Sequence, residues 1–108
     1  MYNFIITKSF LDNQSEYILK LTKKEYQKFI NTKSKFQKNI FDKSLNTHDI
    51  YQSNSVKVYS SYINEKDRII FFYKKPEKIF LYKIMSDHNY KKLLSNIDFA
   101  LKDFLNNF

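Results

Sequence analysis

The 108-residue chain contains no glycine, and that absence constrains its backbone more than any other property of the sequence. Glycine enters the left-handed region of backbone space without steric cost. Tight reversals here fall instead to Asn, Asp, Ser and the single proline, Pro76. The glycine-rich loops of P-loop and dinucleotide-binding proteins are excluded by the same absence, and with them nucleotide chemistry of those kinds.

The length fits one domain spanning residues 1–108, with a core of modest size. Hydrophobic residues make up 43% and aromatics 19%, including eleven Phe and nine Tyr, which is enough apolar material to fold despite a polar average. No cysteine is present, which excludes disulfides, thiolate metal sites and a cysteine nucleophile, and makes a reducing cytoplasm the simplest expectation. The two histidines, His48 and His88, are far apart in sequence, so no metal site and no cofactor are expected. No apolar run approaches the roughly 20 residues of a membrane span, and the N-terminus lacks the pattern of a secretion signal.

The first apolar run, Tyr2 to Thr7, predicts a short strand. Ser9 is placed to cap a helix carrying Phe10, Leu11, Tyr17, Ile18 and Leu21, although Glu16 to Leu21 also reads as strand. Thr22-Lys23-Lys24-Glu25 fits a capping box at the start of a second helix with Phe29, Ile30 and Phe36 on its apolar face. From Lys43 to Asn54 the periodicity disappears and a loop is expected, with His48 a solvent-exposed loop residue. Three strands follow, Val56 to Ile63, Ile69 to Tyr73 and Lys78 to Met85, joined by the short turns around Asn64-Glu65-Lys66-Asp67 and Lys75-Pro76-Glu77. They form an antiparallel meander. In the last strand Ile79, Leu81, Lys83 and Met85 should face one side, and Phe80, Tyr82 and Ile84 the other. A single C-terminal helix is predicted from about Asp87, its cap, through Leu105. The fold class is therefore α+β: an N-terminal strand, two helices, a three-strand antiparallel meander completing one twisted sheet, and a C-terminal helix.

The 19 Lys and Arg against 11 Asp and Glu give a net charge of +8, which draws the chain toward nucleic acid or an acidic protein. Solvated lysines on the outer faces of helices account for part of that charge.

This order of elements, with its local wording, resembles the RelE/ParE toxin superfamily of bacterial toxin–antitoxin systems. Thr7-Lys8-Ser9-Phe10-Leu11 looks like that family's strand-to-helix junction, and Leu21 to Phe36 like its second helix. Val58 to Asn64 followed by Asp67-Arg68-Ile69-Ile70-Phe71 is similar to the family's paired strands, with Arg68 on the family arginine and Tyr62 where many members carry Arg. Asp87-His88-Asn89-Tyr90 resembles the closing element, with a shorter His-to-Tyr spacing. The resemblance implies an endoribonuclease acting on messenger RNA, in some members on the ribosome, and silenced by an acidic antitoxin. As the alternative it admits a non-catalytic member that poisons DNA gyrase, or a decayed toxin, and fold alone does not choose between these.

Metal-free RNA cleavage uses the 2′-hydroxyl as nucleophile, so it needs a proton acceptor, a proton donor for the leaving oxygen and a cation for the phosphate. Arg68 is the only arginine in the chain, and its planar guanidinium grips a phosphate at two points where lysine acts as a point charge; a strand-end pairing with Asp67 or Glu65 is the plainer alternative. His88 is the candidate for proton exchange near neutrality. Tyr90 would stack on a base or steady the phosphate through its hydroxyl, unless it is simply docked in the core. Lys57, Tyr62, Lys74, Lys83 and Lys91 are the residues expected to bind RNA around this site.

Overall fold

The computed structural model describes residues 2–86 and 90–108. Its backbone runs β1 (Asn3–Ile5), α1 (Lys8–Leu19), α2 (Lys23–Lys38), a 3-10 turn (Lys43–Leu45), β2 (His48–Ser53), β3 (Val56–Tyr62), β4 (Arg68–Lys74), β5 (Lys78–Met85), α3 (Tyr90–Leu94) and α4 (Ile97–Asn107). The strands form a single sheet in the order β1-β5-β4-β3-β2. β1 lies parallel to β5, and β2 through β5 are antiparallel in succession.

The expected meander thus gains a fourth antiparallel strand, β2, inside the segment that had read as loop from Lys43 to Asn54. That strand is a sheet edge whose pairing slips between Asp49 and Tyr51. The slip breaks the alternation of polar and apolar residues on which strand recognition rests. The glycine-free turn after it is built from Asn54 and Ser55, with φ of 51° and 61°. A two-residue hairpin of type I′ needs positive φ at both positions, where Asn-Gly is the usual pair. Ser55 occupies the position that glycine normally takes.

At the N-terminus Thr7, not Ser9, caps α1, its side chain accepting the Phe10 N–H. The helix continues to Leu19, which resolves the strand alternative for Glu16 to Leu21. The capping box at Thr22 and Glu25 forms as expected, each side chain accepting the other's backbone N–H. The predicted single tail helix is two helices. Ser95 donates its hydroxyl to the Lys92 carbonyl and Asn96 leaves helical geometry at φ −117°, ψ 6°. Short polar side chains compete for the backbone in this way and end helices. Asp87, the expected cap, lies outside the described residues.

Two cores flank the sheet. On one face α1 and α2 bury Phe10, Tyr17, Phe29 and Phe36 against Ile63, Ile69, Phe71, Ile79, Leu81 and Ile84. On the other, Leu93, Ile97, Leu101 and Phe104 from α3 and α4 cover Val56, Val58, Ile70 and Phe72. Neighbouring Phe71 and Phe72 are each 0% exposed and belong to opposite cores, as the two-residue period of a strand requires. Truncating either to Ala is expected to cost about 3–5 kcal/mol.

The alternation expected in β5 is corrected by a bulge. Phe71 pairs with Leu81 but Ile70 pairs with Lys83, leaving Tyr82 as the extra residue. Beyond it Ile84 joins the α1–α2 core while Met85 packs with the other. Without that extra residue Lys83 would share the face of Ile79 and Leu81, beneath α1 and α2. The bulge moves it onto the face that carries Arg68, a common use of such irregularities.

Candidate nucleic-acid interface

The β3–β4 connection is a tightly bonded turn that aims Arg68. Asn64 Oδ1 accepts the N–H groups of Lys66 and Asp67, each at 2.9 Å, and Asn64 Nδ2 donates to Asp67 Oδ2 at 2.8 Å. This is how Asn replaces glycine in a reversal, by bonding to the backbone two and three residues on. Asp67 is 8% exposed. From α1, the Tyr17 hydroxyl donates to the same Asp67 Oδ2 at 2.7 Å. Burial, and then the hydrogen bond to Asp67, push the Tyr17 phenol well above its ordinary range, so it stays protonated and remains a donor.

Arg68 extends from this turn. Its Nη1 donates to the Asp67 carbonyl at 2.9 Å and to the Asn64 carbonyl. Its guanidinium carbon lies 4.8 Å from the ring centroid of Tyr62, the residue opposite it in the β3–β4 register. Cation–π contact and two carbonyl acceptors therefore hold the guanidinium plane in place. The sequence alternative, an ion pair with Asp67 or Glu65, is replaced by bonds to backbone oxygens.

On the same face, two residues back along β3, Ser60 Oγ and the Tyr90 hydroxyl share a hydrogen bond of 2.8 Å. Ser60 is 0% exposed, and Tyr90 opens α3. Tyr90 packs against the α3–α4 core by its ring while its hydroxyl reaches Ser60 on the strand, which is the core-docked placement. His88 lies outside the described residues. His48 does not sit in a loop: it opens β2 directly opposite Ser60. Its ring stands edge-on to Tyr90 with centroids 6.5 Å apart, and its Nδ1 is 2.9 Å from the Asn46 carbonyl.

Lys83, brought to this face by the bulge, has its Nζ 5.6 Å from the Tyr82 ring centroid. With Met85, Ser86, Lys92 and Asn96 it lines a groove of about 330 Å³ between β5 and the C-terminal helices. Burial raises the Tyr82 phenol above its usual value. Lys91 is exposed on α3, next to Tyr90. Arg68, Tyr62, Tyr90 and Lys83 thus lie at one end of the α3–α4 face, and Lys91 follows Tyr90 on α3.

Lys57 and Lys74 do not join them. Lys74 is six residues along β4 from Arg68, about 20 Å at strand spacing. Lys57 pairs with Tyr73 on the opposite sheet face. These two lysines, with Lys75, Tyr59 and Tyr73, line a separate groove of about 300 Å³. That division is not visible along the chain, because strand ends far apart in space are equally rich in Lys and Tyr. Among the described residues no group of three or more His, Asp or Glu side chains is placed to hold a metal ion. Among those residues no helix is long and apolar enough to cross a membrane.

The sequence matches no family model and no curated protein. Solved structures do match. The archaeal RelE–RelB complex from Pyrococcus horikoshii OT3 aligns over 82% of this chain and 97% of its own, with a TM-score of 0.59 at 14% identity. The YoeB–YefM complex from Staphylococcus aureus aligns over 79% and 95%, with a TM-score of 0.52 at 16% identity. A copper-bound mutant toxin from Helicobacter pylori aligns over 80% and 94%, with a TM-score of 0.52 at 17% identity. The chain therefore has a RelE-like fold.

Proposed function

We propose that this protein is the toxin of a toxin–antitoxin pair and cleaves messenger RNA without a metal. The observation that carries the reading is the Arg68 guanidinium, fixed on Tyr62 and on two backbone carbonyls, on the same sheet face as the Tyr90 hydroxyl and Lys83. With Nη1 bonded to the turn, its other nitrogens are the donors for a scissile phosphate. Preorganised cationic donors of this kind stabilise the charge that develops on phosphorus oxygens in the transition state. Tyr90 steadies the same phosphate through its hydroxyl. His88, two residues before it in sequence, delivers the proton to the leaving oxygen. Tyr62, Lys83 and Lys91 hold the RNA around the cleavage point, and Lys57 and Lys74 meet it further along the strand. The partner that silences the protein is an acidic antitoxin segment, matched to the chain's charge of +8; the structural neighbours include a RelE–RelB complex and a YoeB–YefM toxin–antitoxin complex.

The test is induced expression of wild type, Arg68→Ala and His88→Ala, followed by growth and messenger RNA integrity. Growth arrest with new RNA ends, both abolished by either substitution in a folded variant, is the expected result. Arrest with intact RNA would overturn the nuclease reading in favour of a gyrase-type target. One observation favours that second reading: the bonds of Arg68 Nη1 to its own turn also suit an arginine that serves as a structural latch on a non-catalytic interaction surface.

A further inference from the structure

We infer that His48 is the proton acceptor for the attacking 2′-hydroxyl in this site. The inference rests on the nuclease reading above, in which the acceptor had no residue assigned to it.

Three features place His48 there. The first is register: its Cα partner is Ser60, and residues directly opposite in a sheet share a face, which here is the face of Tyr62 and Arg68. From His48 to Arg68 is two strand spacings across and two residues along, about 12 Å between Cα atoms, a gap that two long side chains can close around one nucleotide. The second is the ring contact with Tyr90, whose hydroxyl bonds to Ser60 between them. His48 and Tyr90 thereby form one cluster though they are 42 residues apart, by subtraction of their numbers.

The third feature is the tautomer. Nδ1 faces the carbonyl oxygen of Asn46 at 2.9 Å. A carbonyl only accepts, so Nδ1 carries the proton and the lone pair of the neutral ring lies on Nε2. Asn46 itself sits in the left-handed region at φ 45°, ψ 43°, ending the 3-10 turn. Asn tolerates that region better than other residues with a Cβ. The start of β2 is further fixed by Thr47, whose hydroxyl donates to the Ile40 carbonyl and accepts from Ser61. An exposed histidine on a sheet edge has no packing need for so defined a setting, whereas a general base needs one tautomer and one orientation.

In the step this assigns, Nε2 of neutral His48 takes the 2′-hydroxyl proton as O2′ attacks phosphorus. The P–O2′ bond forms and the P–O5′ bond breaks, and the electron pair departs on O5′, which takes a proton from water. The products are a 2′,3′-cyclic phosphate and a 5′-hydroxyl end. His48 ends protonated, and loss of that proton to the hydroxide left behind restores the neutral ring.

The experiment is single-turnover cleavage of messenger RNA in a reconstituted translation mixture by full-length wild type, His48→Gln, His48→Ala and Arg68→Ala, with RNA affinity measured in parallel. Both His48 variants should lose about 10²–10⁴-fold in rate, the usual contribution of a general base, with RNA affinity unchanged. Added imidazole should restore part of the His48→Ala rate and none of the Arg68→Ala rate, a rescue that a merely structural role would not produce. Wild-type rates in both His48 variants beside an inactive Arg68→Ala would overturn the assignment of His48 and leave the nuclease reading standing. Absence of any new RNA ends with wild type would overturn both.

Discussion

The side-chain amide of Asn13 pairs with both backbone groups of Ile84. The Ile84 N–H donates to Asn13 Oδ1 at 2.7 Å, and Asn13 Nδ2 donates to the Ile84 carbonyl at 3.4 Å. β1 reaches only as far as Phe80 of β5, so beyond that point the edge of β5 lacks a strand on that side. Asn13, projecting from α1, supplies one peptide's worth of strand pairing there. A half-satisfied backbone pair at a partly buried edge is costly. Asn13→Ala is expected to lower stability by about 1–3 kcal/mol, read from urea denaturation. Amide exchange should quicken at Lys83, Ile84 and Met85 before the rest of the sheet, and uniform quickening would contradict the edge-pairing role.

Tyr17 gives a prediction in pH. Its folded-state pKa is raised above the ordinary 10.0, so at alkaline pH the folded chain keeps a proton that the unfolded chain releases. The stabilisation is complete below the unfolded value and is lost as pH rises from about 10 through the folded value. Tyr17→Phe should remove that part of the alkaline decline while lowering stability at pH 7 by about 1–3 kcal/mol, because Asp67 Oδ2 loses a donor in a buried setting. Parallel denaturation series at neutral pH and above pH 10 decide the matter: identical alkaline slopes in the two proteins would contradict it.

How much of this was legible in the sequence depends on range. The Thr22 capping box and the apolar strands β3 to β5 announce themselves because their signals are local: a four-residue cap and runs of branched and aromatic residues. The edge strand β2 does not, since His48, Asp49, Gln52 and Ser53 make it mostly polar and its bulge at Asp49 to Tyr51 breaks the period. The bulge at Tyr82 that carries Lys83 to the Arg68 face is invisible for another reason. It depends on pairing with β4, and a run of Phe80, Leu81, Tyr82 and Lys83 reads equally well in either register. Arg68 stood out as the only arginine. His48 did not, because its meaning comes from Ser60 across the sheet and Tyr90 from another helix, and no spacing along the chain encodes either.

Arg68 also makes a geometric prediction. Its guanidinium is aligned by Tyr62 and by two carbonyls, a setting in which an ammonium is not equivalent. Arg68→Lys should therefore reduce RNA cleavage nearly as far as Arg68→Ala, by about 10²-fold or more, the scale of a lost transition-state donor. Tyr62→Leu, which keeps apolar bulk but removes the cation–π contact, should fall between wild type and Arg68→Ala. Full activity in Arg68→Lys would show that only the charge matters and that the planar fork is dispensable.

The separation of the lysines into two groups is testable by salt. Each lysine that neutralises a phosphate of single-stranded RNA contributes about 0.7 to the slope of log affinity against log salt. Lys57→Ala and Lys74→Ala, remote from Arg68, should each reduce that slope by about 0.7 and leave the single-turnover rate of saturated complex unchanged. On the proposed nuclease function, Lys83→Ala, on the Arg68 face beside the 330 Å³ groove, should lower both the slope and the rate, because that proposal puts the phosphate it meets next to the one being cleaved. If all three variants changed the slope alike and none changed the rate, the bulge in β5 would have no part in the chemistry. A loss of rate in Lys57→Ala, conversely, would mean that the RNA bends around the sheet so that both ends act on one phosphate.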